Sequence, residues 1–292
     1  MSDPVPDRPL ISSLANERVR FLRRLHAADE RRRHRLFLLE GVRLVAEALA
    51  AGVRPVLILY VPEDLARTPR GQALLEQLPG LPAFPCTERV LQAVATTVTP
   101  QGIVSVVAVP PAPSRLTGPL AVVLDAWRDP GNVGTLLRTA EASGLVGGVF
   151  LVDCVDAYNP KVVRAAMGAH FYLPLWSDAT WAEVRQHLAG RPVWLAAVRE
   201  GLPYDQVDWT RPAALIVGSE AHGPGPEARA IATGQVHIPM GGRAESLNAA
   251  IAAAIIIFEA ARQRRQRQTI QTAPATTERG RSGTAQGEGV AD

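Results

Sequence analysis

The stretch 238–258, IPMGGRAESLNAAIAAAIIIF, constrains the fold more than any other. Ile238, Pro239 and Met240 close a short apolar segment, and Gly241 to Glu245 form a turn-rich loop. Ser246, Leu247 and Asn248 then open a run of Ala and Ile with almost no polar face. Ser246 reads as the N-cap, its hydroxyl accepting from an orphan N–H of the first turn. A helix apolar on every side has to be buried, and the run falls short of the roughly 18 residues of a membrane span. A loop rich in backbone donors and acceptors is thereby pinned between a strand end and a core helix. That setting suits a small, partly apolar ligand held by its edges.

The preceding chain supplies the layers that bury this helix. Leu120–Asp125, 148–152, Val193–Ala197, 213–217 and 236–238 read as apolar strands, and 132–143, 161–167, 179–188 and Pro226–Ile231 as helices. Strands alternating with helices imply an α/β fold with a mainly parallel sheet covered on both faces. Upstream, Leu36–Glu40, 55–61 and 102–109 read as strands, with helices over 41–51, 72–78 and 88–95. These make a smaller α/β domain, and the Pro-rich PPAPSRLTGP between the two reads as a linker. The expected organisation is a flexible N-terminus over 1–10, a first domain over 11–109, a linker over 110–119, a second domain over 120–267 and a disordered tail over 268–292.

Lys161 is the only lysine, so the 28 acidic residues are balanced almost wholly by arginine, for a net charge of +3. Arginine favours bidentate phosphate contact and makes nucleic acid a reasonable partner. The segment 11–35 concentrates it, with an early helix expected where Leu14, Val19, Phe21, Leu22 and Leu25 roughly follow helical spacing: Arg18, Arg20, Arg23 and Arg24, then Arg31, Arg32, Arg33 and Arg35. Such a surface attracts RNA phosphates by counterion release. Cys86 and Cys154 are too few for a disulfide framework, and the chain reads as cytoplasmic. They share no metal-ligand spacing with the histidines, and MSDPVPDRPL has no apolar core for a leader.

Three loops follow apolar strands at the end of the sheet where ligands of parallel α/β proteins bind. Asp129-Pro130-Gly131-Asn132-Val133-Gly134 follows the first strand and leads into a helix carrying Arg138. Gly218-Ser219-Glu220-Ala221-His222-Gly223 follows another, and the third is the 238–248 segment itself. Each alone is compatible with an ordinary turn, and none has the G-x-G-x-x-G dinucleotide spacing. Together they point to one crevice.

These three segments, in this order, resemble the motifs of the SpoU/TrmH family of RNA ribose 2′-O-methyltransferases, in the SPOUT class. Residues 160–168, PKVVRAAMG, are similar to the family's segment between its first and second motifs. Family members often carry Ser where Ala166 stands, and polar or branched residues at Ala249 and Ala250. The resemblance implies a C-terminal α/β domain with a deep trefoil knot, an N-terminal RNA-binding domain, a homodimer, S-adenosylmethionine as cofactor, and no metal or membrane. It implies catalytic roles for Asn132, Arg138, Glu220, Ser246 and Asn248. The cofactor would meet Ala197, Gly218, Glu220, Ile238, Pro239, Met240, Leu247 and Asn248. RNA would meet Arg18, Arg23, Arg24, Arg32 and Arg138. Ribosomal RNA is the expected substrate; a transfer-RNA methylase, an antibiotic-resistance methylase of the same family and an inactive RNA-binding protein are the alternatives. In the family the arginine of the first motif is assigned as base. A guanidinium stays protonated to about pH 12.5, which favours a phosphate and alkoxide clamp for Arg138.

Overall fold

The computed structural model describes residues 8–272. Its smaller sheet holds β1 (Leu36–Glu40), β2 (Leu57–Tyr60), β3 (Ala83–Pro85) and β4 (Ile103–Ala108), in the order β1-β4-β2-β3. β4 runs antiparallel to both neighbours, and β2 runs parallel to β3. Strand side chains alternate between faces. Phe37, Leu39, Ile58 and Ile103 pack under the helix Val42–Ala50, whereas Leu38, Leu59, Val104 and Val106 meet the helices Glu17–Arg24 and Glu88–Val94.

The expected early helix is Glu17–Arg24, and the basic segment holds a second helix, Ala28–His34. Asn16 caps Glu17–Arg24 by accepting from Arg18 N, and the chain turns at buried Leu25 before Ala28–His34. Residues 1–7 of the expected flexible N-terminus lie outside the described part. Arg8 is anchored, donating to Ala83 O at 2.8 Å and stacking on Phe84.

The larger sheet holds β5 (Leu120–Asp125), β6 (Val146–Val152), β7 (Leu175–Trp176), β8 (Val193–Ala197), β9 (Leu202–Pro203), β10 (Ala213–Gly218) and β11 (Gly234–His237). The order is β7-β6-β5-β10-β8-β11-β9, and every pairing is parallel. Sequence patterning implies five of these strands; β7 and β9 are two-residue edges too short to leave an apolar run. Val122, Leu124, Leu151 and Leu215 face the helices Pro130–Ala142, Pro160–Ala166 and Ala249–Thr272, while Val123, Phe150 and Ile216 face Trp181–Leu188.

The C-terminal helix departs from expectation in three ways. Its cap is Asn248, whose Oδ1 accepts from Ala250 N at 3.0 Å and Ile251 N at 3.2 Å; Ser246 is exposed. It runs to Thr272, so 268–272 is helical rather than disordered, and the rest of the expected tail lies outside the described residues. It is also not buried all round, since Ile251 is 48% and Phe258 43% exposed.

The two sheets share one hydrophobic core. The Phe37 ring lies 4.9 Å from Tyr158 and 6.0 Å from His170, a histidine whose burial lowers its pKa to about 4. Arg31, expected on the RNA-facing surface, is only 3% exposed. It donates to Asp156 Oδ2 at 2.9 and 2.5 Å and to the carbonyls of Leu25 and His26. A buried charge needs this kind of full pairing.

Candidate active site

β5 and β10 are neighbours, and each ends at the same edge of the sheet, with Asp125 in register with Gly218. After β5, Asp129 caps the helix Pro130–Ala142 by accepting from Asn132 N at 2.7 Å. Asn132 is thereby fixed in the first turn. The opposite face of this helix meets Pro160–Ala166 at Gly134. There a Cβ would lie 2.4 Å from Ala165 Cβ and 2.7 Å from Val162 O, so only glycine allows the approach.

The loop after β10 is folded back on itself. A Cβ on Gly218 would lie 2.3 Å from Pro224 N, and Gly223 adopts φ +66°. Two residues absent from the sequence-derived site tie this loop to β5. Trp127 Nε1 donates to Val217 O at 2.9 Å and Gly218 O at 3.0 Å, and Asp125 Oδ2 accepts from Gly225 N at 2.6 Å. Burial raises the Asp125 pKa, and the Gly225 N–H opposes that rise. The available signal was an acidic residue ending an apolar strand, with a tryptophan two positions on.

Glu220 stands on this loop and gathers the three motifs. Its Oε1 accepts from Asn132 Nδ2 at 3.0 Å, Asn248 Nδ2 at 2.8 Å and Ala249 N at 3.1 Å. Asn248 Nδ2 also donates to Asn132 Oδ1 at 3.1 Å. Residues from positions 132, 220 and 248 thus converge on one carboxylate oxygen, and Oε2 has no partner among the described residues.

Beside this cluster lies a cavity of about 780 Å³. Of the expected site residues, Ala197, Gly218, Glu220, Ile238, Met240, Ser246, Leu247 and Asn248 line it, and Pro239 and Asn132 do not. Its walls are largely apolar, with Glu200, Arg199 and Arg229 as further charged groups. Arg138 is exposed, lines no part of the cavity and has no hydrogen bond or ion pair among the described residues. It lies six positions past Asn132, which at 3.6 residues per turn points it to a different side of the helix.

The comparisons with known proteins agree with this geometry. Residues 119–258 match the model of the SpoU rRNA methylase family, and 16–105 match an MRM3-like substrate-binding domain. The 23S rRNA (guanosine(2553)-2′-O)-methyltransferase RlmP of Bacillus subtilis is 35% identical, over 85% of this chain and 97% of its own. The chain belongs to the SpoU methylase family. Another family relative, the human mitochondrial rRNA methyltransferase 3, is 31% identical over 79% of this chain and 68% of its own. Among solved SpoU structures, AviRb of Streptomyces viridochromogenes in complex with AdoMet superposes with a TM-score of 0.73. It is 30% identical and covers 85% of this chain and 98% of its own.

The RNA-facing residues expected for this SpoU protein are not gathered at the cavity. Arg18 stacks 4.2 Å over Phe84 on β3, the edge strand farthest from β1. Arg24 pairs with Glu30 and Arg32 with Asp29, both on the N-terminal helices, and Arg23 shares the last turn with Arg24. Among the described residues no cluster of His, Cys, Asp and Glu could hold a metal, and no helix is long and apolar enough to cross a membrane.

Proposed function

We propose that this SpoU protein methylates a ribose 2′-hydroxyl of ribosomal RNA with S-adenosylmethionine as donor. The observation that carries the reading is Glu220 Oε1, on the wall of the apolar cavity, accepting from both Asn132 and Asn248. The residues present fit the cofactor: Ile238, Met240 and Leu247 offer apolar walls for an adenine, and Glu220 and Glu200 offer negative charge for its cationic end. When bound, S-adenosylmethionine supplies a methyl group already made electrophilic by its sulfonium.

What remains for the chain is to orient the acceptor oxygen and take its proton. With Oε1 occupied by three donors, Oε2 of Glu220 is the acceptor left to receive the ribose proton. Asn132 and Asn248 hold that carboxylate in place. Ser246 and Leu247, at the cavity wall, position the donor. Arg138 carries the charge suited to a phosphate and the developing alkoxide, and reaches them from a second subunit.

Several further assignments belong to this reading. The exposed stripe of Ile251 and Phe258 beside the site supports a homodimer joined through the C-terminal helix. The return of residues 238–249 past the loop 218–225, which brings Asn248 and Ala249 onto Glu220, supports the trefoil knot of the SPOUT class. Residues 11–109 form the RNA domain, 110–119 the linker and 120–267 the methylase domain. The relatives acting on 23S rRNA support the large ribosomal subunit as substrate, and hence the cytoplasm as the place of action.

A methylated 2′-oxygen cannot attack the neighbouring phosphate in alkali. RNA treated with the protein and S-adenosylmethionine therefore shows one gap in its hydrolysis ladder, and Asn132→Ala removes it. A methylated base with an unbroken ladder overturns the ribose assignment.

A further inference from the structure

The N-terminal domain carries a second open cavity of about 690 Å³, remote from the first. β1, β2 and β3 all run in one direction, with β4 opposed. This groove lies where their carboxyl ends meet: residues just past β1 (Val42, Arg43), past β2 (Asp64, Arg67) and past β3 (Glu88) line it. Loops leaving parallel strands at that end form the ligand crevice of open α/β sheets. Three arginines face two carboxylates here, and Arg67 already pairs with Asp64 at 2.9 Å. Arg43 and Arg70 are exposed and have no partner among the described residues.

The fourth wall is the loop 96–101, and it is built rather than slack. The Glu40 carboxylate accepts from the backbone N–H and the hydroxyl of both Thr96 and Thr97. These bonds hold the Glu40 pKa down against the opposing effect of burial. Val98 at its tip is 92% exposed, Gln92 and Gln101 line the groove, and Gln92 Nε2 donates to Val98 O at 3.2 Å. The loop is also tied to the helix Pro160–Ala166, because Arg164 donates to Thr96 Oγ1. Arg164 lies on the helix that meets Gly134, two residues from Asn132. The loop 96–101 is thereby linked, through Arg164, to the helix packed on Pro130–Ala142 on the face away from Asn132.

We infer that this groove seats an unpaired nucleotide of the RNA substrate and its flanking phosphates, with Arg43 and Arg70 on the phosphates. Val98 packs against the base and Gln101 meets its edge, since unstacked RNA bases are read by hydrogen bonds to their edges. This rests on the proposed RNA methylase reading and shifts the RNA path from the Arg18 face to the loop 96–101 face.

The test is RNA binding to the full chain, measured for Arg43→Ala, Arg70→Ala, Arg43→Lys and, as the contrast, Arg23→Ala with Arg24→Ala. Each alanine in the groove weakens RNA binding about tenfold or more. Each also lowers the slope of log affinity against log salt by about 0.7, with S-adenosylmethionine affinity unchanged. Arg43→Lys keeps the slope. Unaltered RNA affinity and slope in both groove alanines overturns the inference, as does a defect seen only with ribosomal protein present, which marks a protein partner instead. If the wild-type chain binds RNA with this dependence yet transfers no methyl group, the methylase reading falls and the groove stands.

Discussion

Replacing Glu220 by glutamine separates its two proposed roles. Glutamine keeps an Oε1 acceptor, so the donors on Asn132, Asn248 and Ala249 retain their partner. It puts an amide where Oε2 stood and so removes the proton acceptor. A positioned general base contributes about 10²–10⁴ in rate, so single-turnover methyl transfer by Glu220→Gln falls by about that factor at saturating S-adenosylmethionine. Glu220→Ala removes orientation as well. A bond to a charged acceptor contributes about 1.5–3 kcal/mol. The site is open to water, so the lower figure applies, and alanine costs a further factor of about 10 or more. Radiolabelled methyl transfer under excess enzyme, with binding of S-adenosylmethionine by calorimetry, measures both. A Glu220→Gln rate within about threefold of wild type refutes the base role.

Asp156→Ala leaves Arg31 buried without its carboxylate and destabilises the protein by about 3–5 kcal/mol; urea unfolding measures the loss. Burial raises the Asp125 pKa in the folded protein, so the folded state holds that proton more tightly and stability drains away as pH rises above the unfolded value of about 3.9. Asp125→Asn is free of that loss, and its stability relative to wild type increases from pH 4 to 7 in urea melts; a constant difference refutes the assignment. Gly134→Ala forces apart the helices Pro130–Ala142 and Pro160–Ala166, lowering both the melting temperature and the methyl-transfer rate. Gly218→Val abolishes S-adenosylmethionine binding, because the loop carrying Glu220 has no room for a side chain there.

The parts of the fold legible in the sequence are those with strong local signals. β5, β8 and β10 are continuous apolar runs, whereas the helix expected from Asn132 starts two residues earlier, at Pro130, capped by Asp129. The convergence of positions 132, 220 and 248 also follows from strand-end placement. What escaped depends on contacts distant in sequence. Nothing near Arg31 announces that Asp156 will cover it, and Ser246 lost the cap to Asn248 because Glu220 draws Asn248 and Ala249 to the helix start. Nor does patterning reveal that Arg18 sits at the β3 edge, since strand order is set by the whole sheet.

The core that runs unbroken through Phe37, Tyr158 and His170, pinned by Arg31 and Asp156, has a consequence for target choice. An arm on a free hinge could sample many nucleotides around its anchor point. A fused pair of sheets cannot, and it acts as a calliper whose jaws are set at one opening. An RNA is then accepted or refused by the spacing between the feature it lodges in the first sheet and the ribose it offers to the second. Inserting or deleting a single nucleotide between them should abolish modification rather than move it to a neighbour.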